Sequence, residues 1–340
     1  KSLVGSLETR TSIIYSSDLF LPYDDPDDHI DLVTLLSLPQ LDVRAIVLDH
    51  TMKETVERTG VPRVINFQAA QKAMKLFKRE GIPVVSGCRT RLTDSMDDIS
   101  NRAEEDQAGV NLILKTLQSV RDKEATLIST GSVRDFTAAY NRDPDLFHSK
   151  VKRLLISIGD SYGATGTDDY NTFKDVEAWK GLITSGLPID WLPTNPSKVR
   201  GAPSRYVSYW YCLQSELLGE SAEPLKEFFA SENIIPESRR TRPMWSSVAF
   251  IEAAGLQCYD ANGEVKWMSA NKADQLGFSR LAPYSFLPIT LTLDTAGVAQ
   301  WKIAESTEKT QLRIFRINDY YQYNETMLKF INDQFKTIEN

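Results

Sequence analysis

The stretch "IIYSSDLFLPYDDPDDHIDLVTLL", Ile13 to Leu36, decides the fold. An apolar, β-branched run ends at Tyr15. Aspartates follow at Asp18, Asp24, Asp25, Asp27, Asp28 and Asp31, and an apolar helix-like run continues from Ile30 to Leu36. Strand, acidic loop and helix in that order make the opening unit of an α/β sheet. In open sheets of this class, ligands bind beyond the carboxyl ends of the strands, which is where this loop falls. Asp27 or Asp28 is expected to cap the helix that begins near His29, with Pro22 and Pro26 shaping the loop. Capping needs one carboxylate, whereas Asp18 and the Asp27, Asp28 pair bring three. Packed carboxylates repel unless a cation or shared protons intervene, and hard oxygen ligands suit Ca²⁺ or Mg²⁺.

The same alternation continues through the first half. Strands are expected at Ser12 to Tyr15, Val43 to Leu48, Ile82 to Val85, Ala125 to Ser129, Arg153 to Ile158 and Ile189 to Leu192. Amphipathic stretches such as "VINFQAAQKAMKLFKREG" and "EDQAGVNLILKTLQSVRDKE" lie between them. Strands and helices alternating at this spacing predict an α/β fold, a mostly parallel central sheet flanked by helices. From about Val199 to Glu237 the pattern loosens, and "RYVSYWYCLQSELLGE" reads as helices or a cap near the sheet edge. "FLPITLTLDTAGVAQWKIAE" predicts a C-terminal hairpin turning at Thr295 to Gly297, and "YNETMLKFINDQF" a final helix opened by Asn324. With no internal repeat and no low-complexity linker, residues 1–340 are expected to form one domain.

Composition narrows the partners. A formal charge of −7 and a pI near 5.2 over 340 residues, without a dense basic patch, argue against nucleic acid and favour a small uncharged or cationic ligand. No apolar run approaches the about 18 to 20 residues of a membrane helix, so a soluble protein with no membrane partner is expected. Its compartment stays open between cytoplasmic and exported after signal removal, because the chain opens at Lys1 without Met. Cys88, Cys212 and Cys258 are too few and too scattered for a disulfide framework or a zinc site. Of the histidines, His29 belongs to the first helical turn, His50 follows the strand "AIVLDH" at the ligand-binding end, and His148 reads as a surface helix residue.

The order strand, Asp18, loop, Asp27, Asp28 and apolar helix resembles the N-terminal motif of the inosine-uridine-preferring nucleoside hydrolases, as a divergent member with a local "DPDD" form. The resemblance extends through "IPVVSG", "ATLISTGSVRDFTAAYNRDPDLF", "VKRLLISIGD" and "DYNTFKDVEAWKGLITSGLPIDWLP", and so covers most of the chain. It implies metal-assisted hydrolysis of the N-glycosidic bond of a ribonucleoside or related ribosyl compound. By the same resemblance, Asp18, Asp28 and the Thr130 carbonyl would hold Ca²⁺, and Asp18 would be the base that takes the proton of the attacking water. Asp27, Asp169 and Asn171 would face the ribose. Read from residue type, Trp245, Tyr162, Tyr209 and Trp210 are the aromatic candidates to stack a base. A homo-oligomer is common in the family.

The sequence departs from the family at two ligand positions. Ser16 stands where the first Asp of the motif would be, and in "RPMWSSVAFIEAAG" Pro243 and Met244 stand where a His-Asp pair would open a helix. Asp24 and Asp25 in the enlarged loop are the candidates to compensate. The departures motivate an alternative, a non-catalytic or altered-specificity binder of a nucleoside or ADP-ribose-like ligand. A third reading is an interaction protein that uses the aromatic segment Tyr206 to Tyr211 as a surface.

Overall fold

The computed structural model describes residues 10–23, 25–162, 168–194 and 205–338. Asp24 and residues 199–204, on which two of the expectations above fall, lie outside them. The first strand, β1 (Thr11–Ser17), lies third from one edge of a nine-stranded sheet. Its neighbours are Leu41–Leu48 on one side and Ala125–Ser129 on the other, both parallel to it. Val84–Ser86 closes the first edge, and Val151–Ser157, Ile189–Leu192 and Leu312–Ile317 continue the sheet in parallel on the other side. The hairpin Tyr284–Leu293 and Ala299–Ile303 then adds two antiparallel strands at that edge. The α/β architecture with a C-terminal hairpin and helix is therefore as the sequence pattern predicts.

Both faces of the inner parallel strands are buried, which is why these strands read as continuous apolar runs. Successive residues of β1 point to opposite faces. Ile13 and Tyr15 pack into one core with the helices, and Ile14 into the other with Val47, Ile113 and Phe136. The helix α1 (Asp27–Ser37) is buried at every residue from His29 to Leu36, because it lies between the sheet and the helices Phe67–Leu76 and Tyr320–Phe335. Each large aliphatic side chain buried there contributes roughly 1.5–3 kcal/mol. That packing fixes where α1 begins, and so fixes the acidic loop before it.

Three local expectations are corrected. The residue preceding α1 is Pro26, which offers no side-chain cap, so Asp27 and Asp28 sit in the first turn and not at the cap. The last helix starts at Tyr320, where Asp319 accepts a hydrogen bond from the Gln322 N–H at 2.8 Å. Asn324 lies inside that helix and accepts from the Tyr211 N–H at 3.1 Å. Within "RYVSYWYCLQSELLGE", Trp210–Leu213 is a strand paired antiparallel with Thr241–Met244, followed by the helix Gln214–Leu218. The hairpin turn falls as expected, with Gly297 in the left-handed region at φ +79° and its N–H on the Asp294 carbonyl. All three cysteines are unpaired and buried. No helix among the described residues is long and apolar enough to cross a membrane.

Candidate functional site

The carboxyl ends of the parallel strands converge on one cavity of about 420 Å³. Asp18 enters it one residue beyond β1, Thr130 one residue beyond Ala125–Ser129, and Thr194 two residues beyond Ile189–Leu192. The first turn of α1 adds Asp27, Asp28 and His29, and the loop before it Phe20, Tyr23 and Asp25. Asp169, Tyr170 and Asn171 come from the start of the helix Tyr170–Lys174, and Trp245 and Ser246 from the segment before the helix Ser247–Ala253. Every expected site residue, Asp18, Asp27, Asp28, Thr130, Asp169, Asn171 and Trp245, therefore lines the same space.

The polar contacts give these residues different standing. Asp28 Oδ1 accepts from Ser17 Oγ and Thr130 Oγ1, each at 3.1 Å, and the Tyr15 hydroxyl reaches Thr130 Oγ1 from below at 3.1 Å. Desolvation in the cavity pushes the Asp28 carboxyl up to about 7, against the pull of those two hydroxyls. Asp27 is driven well above the usual carboxylate range by desolvation and then by the charges of Asp28 and Asp25. Asp31, a turn further along α1 and buried, is driven the same way by burial and by Asp28. In a cluster of acids this close, each charge raises the affinity of its neighbours for a proton.

Asp169 is a buried helix cap. Its Oδ2 accepts from the Thr172 N–H at 2.8 Å, the Thr172 hydroxyl at 2.9 Å and the Gly159 N–H at 2.8 Å, while the Thr194 hydroxyl takes Oδ1. Asn171 donates from Nδ2 to the carbonyls of Thr130 at 3.2 Å and Ser157 at 2.8 Å. Trp245 lies on the cavity wall with the Tyr209 ring at 4.7 Å behind it, and the Ser208 hydroxyl holds its carbonyl at 2.6 Å. Trp210 is core, with its indole N–H on Ser247 Oγ at 3.1 Å, and neither it nor Tyr162 or Tyr209 lines the cavity.

Lys174 was not singled out by the sequence. Its side chain is fully buried, and its Nζ rests on Asp18 Oδ2, 3.3 Å from Asn171 Oδ1 and 4.2 Å from the Tyr170 ring centre. Burial by itself drives the lysine well below its usual pKa, and the Asp18 carboxylate against it favours the charged form. The backbone beneath is braced. The Lys174 carbonyl accepts from Arg91 Nε at 3.0 Å and from Arg134 Nη2 at 3.1 Å. Arg134, itself buried, is held by Asp175 at 2.7 Å, Glu54 at 3.2 Å and the Cys88 carbonyl at 2.9 Å.

Other residues of the wall were read only for local structure or passed over. His29 is buried, and burial lowers its imidazole to about 4, so at neutral pH it is an uncharged group between Asn66 at 3.3 Å and the Tyr23 ring at 5.6 Å. Its place directly after Asp28 was the available signal. Arg58 and Arg63 carry positive charge to the same wall. His50 does not line the cavity, and its carbonyl instead accepts from Arg134 at 3.2 Å. Met244 is wholly buried in the strand Thr241–Met244 and supplies no oxygen to the site. Asp25 is engaged by Arg242 at 2.5 Å. Among the described residues, no three His, Cys, Asp or Glu side chains are arranged to hold a metal ion.

Comparison with solved structures gives the same architecture over nearly the whole chain. An inosine-guanosine nucleoside hydrolase superposes with a TM-score of 0.60 at 15% identity, covering 97% of this chain and 100% of that one. The purine-preferring ribonucleoside hydrolase from Gardnerella vaginalis gives 0.56 at 14%, covering 96% and 99%. The type III effector protein XopQ, solved with adenosine diphosphate ribose, gives 0.52 at 13%, covering 96% and 95%. No protein among curated sequences matches the chain. The family model described as inosine-uridine preferring nucleoside hydrolase matches residues 24–254, more than half of the sequence and most of the cavity wall, and the chain belongs to that family.

Proposed function

We propose that the cavity binds a ribose-bearing compound and hydrolyses its N-glycosidic bond. The observation that carries this reading is the convergence of Asp18, Asp27, Asn171 and Trp245 on one space large enough for a nucleoside. Water adds to the anomeric carbon and gives its proton to Asp18, while the carbon–nitrogen bond breaks and its electron pair leaves on the base. Asp27 faces a sugar hydroxyl from the first turn of α1, and Asn171 lines the same cavity. Trp245, backed by Tyr209, offers a flat apolar face to the departing base.

The metal-assisted form of the reaction requires Asp18, Asp28 and the Thr130 carbonyl to turn their lone pairs toward a divalent cation. In this chain Lys174 is seated on Asp18, two hydroxyls are on Asp28, and the Asn171 amide is on the Thr130 carbonyl. Ser16 and Met244 add no carboxylate, and a hard cation with few anionic oxygens is weakly held. The residues do not fit a calcium ion.

Two observations favour a second reading, a binder of a nucleoside or ADP-ribose-like ligand. An Asp18 paired with Lys174 is a poorer proton acceptor than a free carboxylate, and Arg58 and Arg63 place positive charge on the wall, as a phosphate-bearing ligand would require. Incubation with a panel of purine and pyrimidine nucleosides, scored for free base and reducing sugar, separates the two. Release from any member supports hydrolysis. Saturable binding with no release from any of them supports the binder.

A further inference from the structure

Lysine is an unusual residue to bury without access to water, because both its charge and its rotamer freedom are lost. Lys174 is buried so, and nothing in its surroundings suggests a side chain that merely fills space. Its carbonyl is fixed by two arginines, one of them within a buried frame of Asp175 and Glu54, and its Nζ is directed at a carboxylate and an amide oxygen of the cavity. The Tyr170 ring lies against the same nitrogen at 4.2 Å, the arrangement by which an aromatic face stabilises a cation. The carboxylate it holds is that of Asp18, the acid at the end of β1 to which a divalent ion would otherwise be drawn.

We propose that the Lys174 ammonium is the resident cation of this pocket, seated on Asp18 in the place a divalent metal would take, and that the chain binds its ribosyl ligand without metal. A fixed positive charge on Asp18 repels a second cation and removes the lone pair it would need. Asn171 completes the replacement, since one amide satisfies the Thr130 carbonyl through its nitrogen and the lysine through its oxygen. The proposal holds whether the pocket hydrolyses its ligand or only binds it.

The test is a titration of the EDTA-treated full chain with calcium chloride, followed by calorimetry and by thermal unfolding, for the wild type and Lys174→Met. The wild type is expected to give no saturable heat and an unfolding midpoint that neither EDTA nor calcium moves. Lys174→Met is expected to unfold at lower temperature and to gain several degrees from millimolar calcium, because the exposed charge of Asp18 then accepts an added cation. One-to-one calcium binding by the wild type, abolished in Asp18→Asn, would overturn the proposal. Should Lys174→Met not fold, Lys174→Arg retains a cation at Asp18 and must stay insensitive to calcium; sensitivity there also overturns it. Ribose affinity measured in EDTA and in calcium is expected to agree, and a difference of roughly tenfold in favour of calcium counts against it.

Discussion

The Asn171 amide and the Thr130 carbonyl are bonded to each other at 3.2 Å, joining the helix that starts beyond Asp169 to the strand next to β1. The same nitrogen reaches the Ser157 carbonyl at 2.8 Å, so one side chain ties together the ends of two adjacent strands. A buried carbonyl left without its donor costs about 1–3 kcal/mol. Asn171→Ala is therefore expected to weaken ribose binding by roughly tenfold or more while the chain stays folded, with calorimetry for affinity and circular dichroism for the fold.

Asp18→Asn keeps the shape of the side chain and removes its capacity to accept a proton. If Asp18 takes the proton of the attacking water, turnover should fall by about 10²–10⁴-fold with KM little changed. Steady-state release of free base measures this directly, and an unaltered kcat would remove Asp18 from the reaction.

Trp245→Ala should act on binding of the base and leave ribose alone. Loss of one aromatic contact is worth about 0.5–1.5 kcal/mol, a weakening of up to roughly tenfold for a nucleoside and none for free ribose. Comparing the two ligands on the same variant checks the assignment, and equal losses for both would place the effect in the fold instead.

Stability should depend on pH through Asp135. This carboxyl is buried, accepts from the Cys88 N–H at 3.1 Å, and is pushed up to about 7 by desolvation and by the charge of Asp49. Its folded pKa exceeds the unfolded value of 3.8, so its contribution is full below about pH 4 and is lost as pH rises through 7. The loss is on the order of 4 kcal/mol. Asp135→Asn should flatten this part of the profile. Urea unfolding between pH 4 and 8 measures it, and identical slopes for the two proteins would show that Asp135 does not titrate there.

Much of the fold is legible in the sequence because it is local. Ala125–Ser129 and Ile189–Leu192 are runs of β-branched and bulky residues between turns, a pattern readable within each segment. The strand Trp210–Leu213 escaped notice because its partner Thr241–Met244 is distant in sequence and the pair stands outside the main sheet. The start of the last helix was misplaced for another reason: "DYYQYNE" offers two residues able to cap, Asp319 and Asn324, and packing chose the first. At the site, the acidic cluster marked Asp18 and Asp28, while Thr130 and Asn171 were singled out only by the family resemblance; with Trp245 they line one cavity. Lys174 could not be read that way. A lysine at the end of a short amphipathic segment looks solvated, and only the folded chain sets it under Asp18.

The contact between Asp25 and Arg242 carries one more consequence. Arg242 grips Asp25 at 2.5 Å and Gln214 at 2.7 and 3.0 Å, and it stands three residues before Trp245. The Arg242 guanidinium thus joins the acidic loop at Asp25 to the strand that leads to Trp245, and it does not line the cavity. Changes at Arg242 or Gln214 would shift both walls together, which gives mutation a handle on ligand choice that leaves the reacting groups untouched.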